Sequence, residues 1–151
     1  MRACRRFETA IGPLWLEETD GALTHVTSRP LPETPEETPL LRAAYAELTA
    51  YFAGARKTFS VPLNPQGTMF QKAVWAALRA IPYGETRSYG EIAAAIGKPK
   101  AARAVGSANN RNPILIFTPC HRVIGANGAL VGFAAGLAMK EALLALEKKY
   151  R

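Results

Sequence analysis

Four prolines within ten residues, Pro30, Pro32, Pro35 and Pro39, set the strongest constraint on how this chain folds. Proline fixes φ and lacks a backbone donor. The stretch, which also holds Glu33, Glu36 and Glu37, therefore cannot be a helix interior or a central strand and reads as an exposed connector. Before it, Leu14 and Leu16 alternate with less apolar neighbours, Asp20-Gly21 suits a tight turn, and Ala22, Leu23 and Val26 resume the pattern. This predicts a β-hairpin within a small antiparallel sheet. After the prolines, Thr38 is placed to cap a helix with Pro39 at its first position. Leu41, Ala44, Tyr45, Leu48, Tyr51 and Phe52 then recur at helical spacing until Gly54. Phe59, Val61 and Leu63 alternate as a short strand, and Asn64-Pro65-Gln66-Gly67 breaks it. The expected division is an N-terminal domain over residues 1–65 and a second over 66–151.

The second half reads as mostly helical. Thr68 with Gln71, and Ser88 with Glu91, each form a capping box that fixes a helix start. From Ser88 a short helix with Tyr89, Ile92, Ala93 and Ile96 runs to Gly97, and a second runs from Lys100 to about Asn109. Two short helices joined through a glycine suggest a helix-turn-helix. The second helix is lined with small residues, Ala101, Ala102, Ala104, Gly106, Ser107 and Ala108. That surface suits shallow, sequence-tolerant contact with a minor groove better than base reading in a major groove, which needs long polar side chains. It equally suits packing against neighbouring helices. Beyond it, Ile114-Leu115-Ile116-Phe117 predicts a buried extended segment, Gly125 to Gly136 a glycine-rich stretch suited to lining a pocket, and Leu137, Leu143, Leu144 and Leu146 a final amphipathic helix.

Charge divides along the same line. Of the net charge of +7, residues 1–65 carry −1 and residues 66–151 carry +8. A polyanion such as nucleic acid would meet the second half, although charge alone fits a solubility role equally well. No apolar run approaches the roughly 18 residues of a membrane span, and the first residues lack a secretory pattern. The expectation is a soluble, cytoplasmic protein whose two cysteines, Cys4 and Cys120, are free thiols. His25 and His121 are the only histidines and neither lies in a ligand-spaced group, so no metal is expected.

The pentapeptide Pro119-Cys120-His121-Arg122-Val123 sets a thiol beside an imidazole. Only the thiolate is a good nucleophile, and a free thiol has a pKa of about 8.5, so Cys120 needs a neighbour that takes its proton. Adjacent residues on a strand point to opposite faces. The pair can cooperate only if the chain turns at Cys120 or a water bridges them.

Further residues surround this pair in order: Arg103-Ala104-Val105-Gly106, Asn112-Pro113, Gly132-Phe133 and Lys140-Glu141. Together they resemble the O6-alkylguanine-DNA alkyltransferases, closely from about Phe70 to Glu147 and more loosely over the first half. The resemblance implies an α/β fold, with a small ribonuclease-H-like antiparallel-sheet domain followed by a mostly helical domain that holds the helix-turn-helix. It implies direct repair of double-stranded DNA, in which Cys120 takes the O6-alkyl group of a flipped-out guanine, or the O4-alkyl group of thymine, once per molecule. It further implies no cofactor, no membrane and no obligate protein partner.

By the same resemblance His121 takes the thiol proton through a water, and Glu147 orients that histidine. Without it, Glu147 reads as an ordinary surface charge on the last helix. Asn112 matches a hinge that holds the recognition helix against the active-site loop. Tyr89 helps rotate the nucleotide, and Arg103 fills the vacated stack. Phe133, Ala134 and Ala135 fall on the base and alkyl pocket. Where relatives commonly carry two glycines, this chain reads Ala135-Gly136, and the added methyl narrows the expected substrate range toward methyl lesions. Three other readings compete: a lesion sensor that accepts no alkyl group, a helix-turn-helix regulator, and a cysteine hydrolase with turnover.

Overall fold

The computed structural model describes residues 1–128 and 135–151, which fall into two compact units, Met1–Gln66 and Gly67–Arg151. In the first, β1 (Arg2–Thr9), β2 (Gly12–Thr19) and β3 (Ala22–Thr27) form an antiparallel sheet in that order. The β2–β3 hairpin turns at Asp20-Gly21, where φ is 50° and 87°. Positive φ at both central residues matches the twist of the flanking strands. β1 lies outside the expected hairpin because Arg2, Arg5, Arg6 and Glu8 obscure its alternation; pairing runs from Arg2 opposite Thr19 to Thr9 opposite Gly12. Helix α1 (Pro39–Phe52) starts as the sequence predicts, with the Thr38 hydroxyl accepting from the Leu41 amide at 3.2 Å. Leu14, Leu16, Leu23 and Val26 of the sheet and Leu41, Ala44, Leu48 and Tyr51 of α1 are all fully buried.

Two segments of this unit depart from their expected form. The proline-rich connector is mostly exposed but follows β1: the Thr34 amide donates to the Cys4 carbonyl at 2.8 Å, and the Cys4 amide to the Thr34 hydroxyl at 3.0 Å. The expected strand through Phe59, Val61 and Leu63 is reduced to one bridge between Leu63 and Leu23. Its donors go elsewhere, since the Ser60 amide bonds the Glu47 carboxylate at 3.0 Å and Pro62 has none to give.

The second unit contains α2 (Met69–Arg79), β4 (Arg87–Ser88), α3 (Tyr89–Ala95), α4 (Ala102–Asn110), a 3₁₀ turn (Cys120–Arg122), β5 (Val123–Ile124) and α5 (Leu137–Tyr150). Both capping boxes form. Gly97, with φ of 76°, turns α3 toward α4. Val74, Trp75 and Leu78 of α2 share the core with Ile92, Ala93, Val105 and Ala108, and the Trp75 indole donates to the Ala108 carbonyl at 2.9 Å. Gly67 permits this packing, because a β-carbon there would lie 2.6 Å from the Trp75 ring. β4 and β5 run parallel, so the strand after the Cys120 turn is bonded to the residues that open the helix-turn-helix.

The run from Ile114 to Phe117 is buried as expected but is not extended. It folds back on itself: Phe117 N donates to Leu115 O and Thr118 N to Ile114 O, with Ile116 at φ of 72°. A β-branched residue in the left-handed region is strained, and four consecutive buried side chains hold it there. α5 departs further from expectation. Its buried residues are Lys140, Leu143 and Glu147, while Leu137 is 49% exposed, so two of the three positions it buries are charged. Among the described residues no helix is long and apolar enough to cross a membrane.

Candidate alkyl-acceptor site and DNA-facing helices

Pro119 has no amide to donate, and the folded-back loop passes there into a turn. The Arg122 amide bonds the Pro119 carbonyl at 3.0 Å, closing a 3₁₀ turn over Cys120, His121 and Arg122. A strand would send an adjacent thiol and imidazole to opposite faces; in the turn they point about 120° apart instead. Cys120 is 2% exposed and His121 fully buried.

The histidine is held from one side only. Its Nε2 lies 2.6 Å from Glu147 Oε2, while Nδ1 has no hydrogen-bond partner among the described residues. An ionised carboxylate can only accept, so Nε2 carries the proton and Nδ1 of the neutral ring keeps its lone pair. Burial pushes the His121 pKa down, against the raising effect of Glu147. The ring is therefore neutral at pH 7 with a free basic nitrogen. Burial likewise raises the Cys120 thiol to about 11, opposed by a hydrogen bond from Asn112 and the charge of Lys140. The resting pair is a neutral thiol and a neutral base.

Glu147 is not the surface charge that its helix suggests. It is 1% exposed, and Arg122 grips it twice, Nε to Oε1 at 2.8 Å and Nη2 to Oε2 at 3.0 Å. The Gly84 amide adds a bond to Oε1 at 3.0 Å. A bidentate guanidinium keeps the carboxylate charged and fixes its plane. Arg122 is itself anchored through Nη1 to the Ile81 carbonyl at 2.7 Å. The sequence names Arg122 only as part of the pentapeptide. Its signal was proximity to the thiol, whereas its partner lies 25 residues away. Lys140 likewise owes its place to a distant partner: fully buried, it donates to the Val123 carbonyl at 2.5 Å.

Asn112 joins both ends of the folded-back loop. Its Nδ2 donates to Thr118 O at 2.8 Å and Ile114 O at 3.3 Å, and its Oδ1 accepts from Ile114 N at 3.0 Å. Tyr89, half-buried at the start of α3, lies against α4 where Gly106 leaves room: a β-carbon there would meet the ring at 3.7 Å. Burial raises the Tyr89 pKa, and the charge of Cys120 adds to the effect. Arg103 is exposed on α4 at the edge of a groove of about 590 Å³ that Lys100, Thr68 and Ser107 also line. Ala135 is half-buried just before Gly136, whose φ of 101° precedes α5. Phe133 and Ala134 lie outside the described residues.

This constellation can be set beside known proteins. Residues 69–149 match the model of the 6-O-methylguanine DNA methyltransferase DNA-binding domain, and residues 4–65 that of the same family's ribonuclease-like domain. The chain belongs to the 6-O-methylguanine DNA methyltransferase family. A methylated-DNA–protein-cysteine methyltransferase of Methanosarcina acetivorans is 56% identical over 148 residues, covering 93% of this chain and 95% of the relative. The crystal structure of the Mycobacterium tuberculosis O6-methylguanine methyltransferase superposes with a TM-score of 0.89 at 49% identity, covering 100% of this chain and 95% of that one. The OGT of the same organism, solved in complex with DNA, gives 0.88 at 48% identity, covering 98% and 94%. The expected fold is thereby established: a small antiparallel-sheet domain followed by a helical domain that carries the helix-turn-helix. Within this methyltransferase the turn, the folded-back loop and α5 bring Cys120, His121, Asn112 and Glu147 into one bonded cluster. Tyr89 opens α3, half-buried, and Arg103 is exposed on α4.

Proposed function

We propose that this protein repairs DNA directly, by moving the O6-alkyl group of a flipped-out guanine onto Cys120. The observation that carries the assignment to Cys120 is the buried thiol in one tight turn with a neutral histidine, which among the described residues is bonded through one nitrogen, to Glu147. The O6 carbon of a paired guanine is out of a thiol's reach, so the nucleotide must leave the stack at a cost of roughly a few kcal/mol. The small-residue face of α4 suits a minor groove. Arg103 offers a planar cation to fill the vacated stack, and Tyr89, at the start of α3, crowds the rotating nucleotide.

In the reaction the thiol proton passes through a water to Nδ1 of His121, and Glu147, pinned by Arg122, stabilises the imidazolium. The thiolate attacks the alkyl carbon, the S–C bond forms as the O6–C bond breaks, and the departing guanine takes up a proton. Asn112 holds the loop that presents Cys120. A thioether has no acyl carbon for water to attack, so each molecule reacts once. O4-alkylthymine presents the same leaving-group chemistry. The methyl of Ala135 favours methyl over bulky groups, and the chemistry needs neither metal nor cofactor. Its site of action is the cytoplasm.

Incubating the protein with an O6-methylguanine duplex and weighing it intact tests this reading. The expected result is a gain of one methyl group, mapped to Cys120 and stopping at one per molecule. Binding without any gain in mass defines a lesion sensor instead. Benzyl transfer as fast as methyl transfer would remove the role given to Ala135.

A further inference from the structure

One buried side chain in the second unit takes no part in the reaction as described so far. Asn109, in the last turn of α4, is 1% exposed. Its Nδ2 donates to the backbone carbonyl of Cys120 at 3.4 Å, and its Oδ1 is enclosed with no hydrogen-bond partner among the described residues. Turning the amide over would set two acceptors against each other, so the nitrogen-first orientation is the bonded one. An amide that makes one long bond and leaves its acceptor bare is a costly way to fill a buried position. A leucine there would carry no such penalty. A buried polar group that opposes stability and bonds the backbone of the reacting residue marks a position kept for something other than packing.

We infer that Asn109 is a positioning residue for alkyl transfer, tying the last turn of α4 to the backbone of Cys120. The Cys120 carbonyl also closes the turn, accepting from the Val123 amide. Asn109 therefore acts on the atom that sets the direction of the 3₁₀ turn. Asn112 grips the loop before the thiol and Asn109 grips the thiol's own residue, so both approaches to Cys120 hang from the C-terminal end of the helix that carries Arg103. A helix seated on DNA is thereby coupled mechanically to the nucleophile.

The inference rests on Cys120 as the acceptor, and its test separates the two. Asn109→Leu and Asn109→Ala are compared with the parent for single-turnover methyl transfer from a saturating O6-methylguanine duplex, affinity for an undamaged duplex, and thermal midpoint. The expected result is transfer slowed at least about tenfold, with duplex affinity unchanged and the midpoint of Asn109→Leu at or above that of the parent. Transfer within about twofold of the parent in either folded variant overturns it. So does a loss of rate that tracks the midpoint or the duplex affinity, since a merely structural residue would move them together. A parent that gains no methyl group refutes the assignment of Cys120 itself.

Discussion

Each unit of this protein sets a cysteine, a histidine, an arginine and a glutamate together, and the two sets differ in the order of their groups and in exposure. In the first unit Glu17 accepts from Arg2 at 2.7 Å, lies 2.6 Å from His25 Nδ1 and 2.7 Å from the Thr24 hydroxyl, and stands opposite Cys4 in the sheet. In the second, Glu147 binds Arg122 and His121 at comparable distances. The first contrast is geometric. Cys4, Glu17 and His25 occupy neighbouring positions on β1, β2 and β3, so the carboxylate stands between thiol and imidazole, which are two strand spacings or about 10 Å apart. In the second unit the thiol and imidazole are consecutive residues of one 3₁₀ turn, and the carboxylate is bonded to Nε2 of the ring. The second contrast is solvent: the His25 side chain is 43% exposed and that of His121 is 0%. The lesson is that composition does not make a nucleophile. What makes one is the order in which the backbone presents these groups and the exclusion of water around them.

The comparison breaks most sharply at the thiols. Replacing Cys120 by alanine should abolish methyl uptake in the intact-mass experiment, whereas Cys4→Ala should leave it complete. At the carboxylates, Glu147→Gln should slow transfer by about 100-fold, the lower range for a positioned base. Arg122→Met leaves an unmatched buried carboxylate and should cost about 3–5 kcal/mol in urea unfolding.

The thiols also predict a pH dependence. Cys120 ionises near 8.5 when unfolded and at about 11 when folded. The folded state therefore holds its proton longer, and this contribution is fully present below about pH 8.5 and lost as pH rises through about 11, a fall of about 3 kcal/mol. Denaturation midpoints across that range should drop less in Cys120→Ala. His121 works the other way: its folded pKa lies below its ordinary value, so its contribution is present above about pH 6.5 and declines as the solution is acidified further. The smallest effect belongs to the first unit. Burial raises the Glu17 carboxyl, but bonds from Thr24, Arg2 and His25 outweigh it and hold it below the usual range. Its charged partners, Arg2 and His25, are partly in water, so Glu17→Gln should cost about 1 kcal/mol and leave transfer unchanged.

Local chemistry made much of this legible in the sequence. Thr38, Thr68 and Ser88 announce three helix starts because a cap is a contact within four residues. Asp20-Gly21 announces a hairpin for the same reason. The resemblance carried by Arg103 to Gly106, Asn112-Pro113, the Cys120 pentapeptide, Gly132-Phe133 and Lys140-Glu141 implies roles for His121 and Glu147, and in the fold these two side chains bond one another. What escaped depends on distant partners. The arginines of β1 hide a strand whose identity comes from pairing with β2. Ile114 to Phe117 has the composition of a strand and, with Asn112 supplying its bonds, the shape of a knot. Arg122, Lys140 and Asn109 are polar residues that only a folded interior explains.

That knot has a chemical consequence. A protein that reacts once cannot spare its thiol to passing oxidants, and sulfenic acid formation begins from an accessible thiolate. Cys120 is buried, protonated at pH 7, and rests on the amides of Phe117, Thr118 and Cys120, which bond back into their own loop. The reagent is stored capped, and a long shelf life in its unreacted form is built into the same turn that makes it reactive.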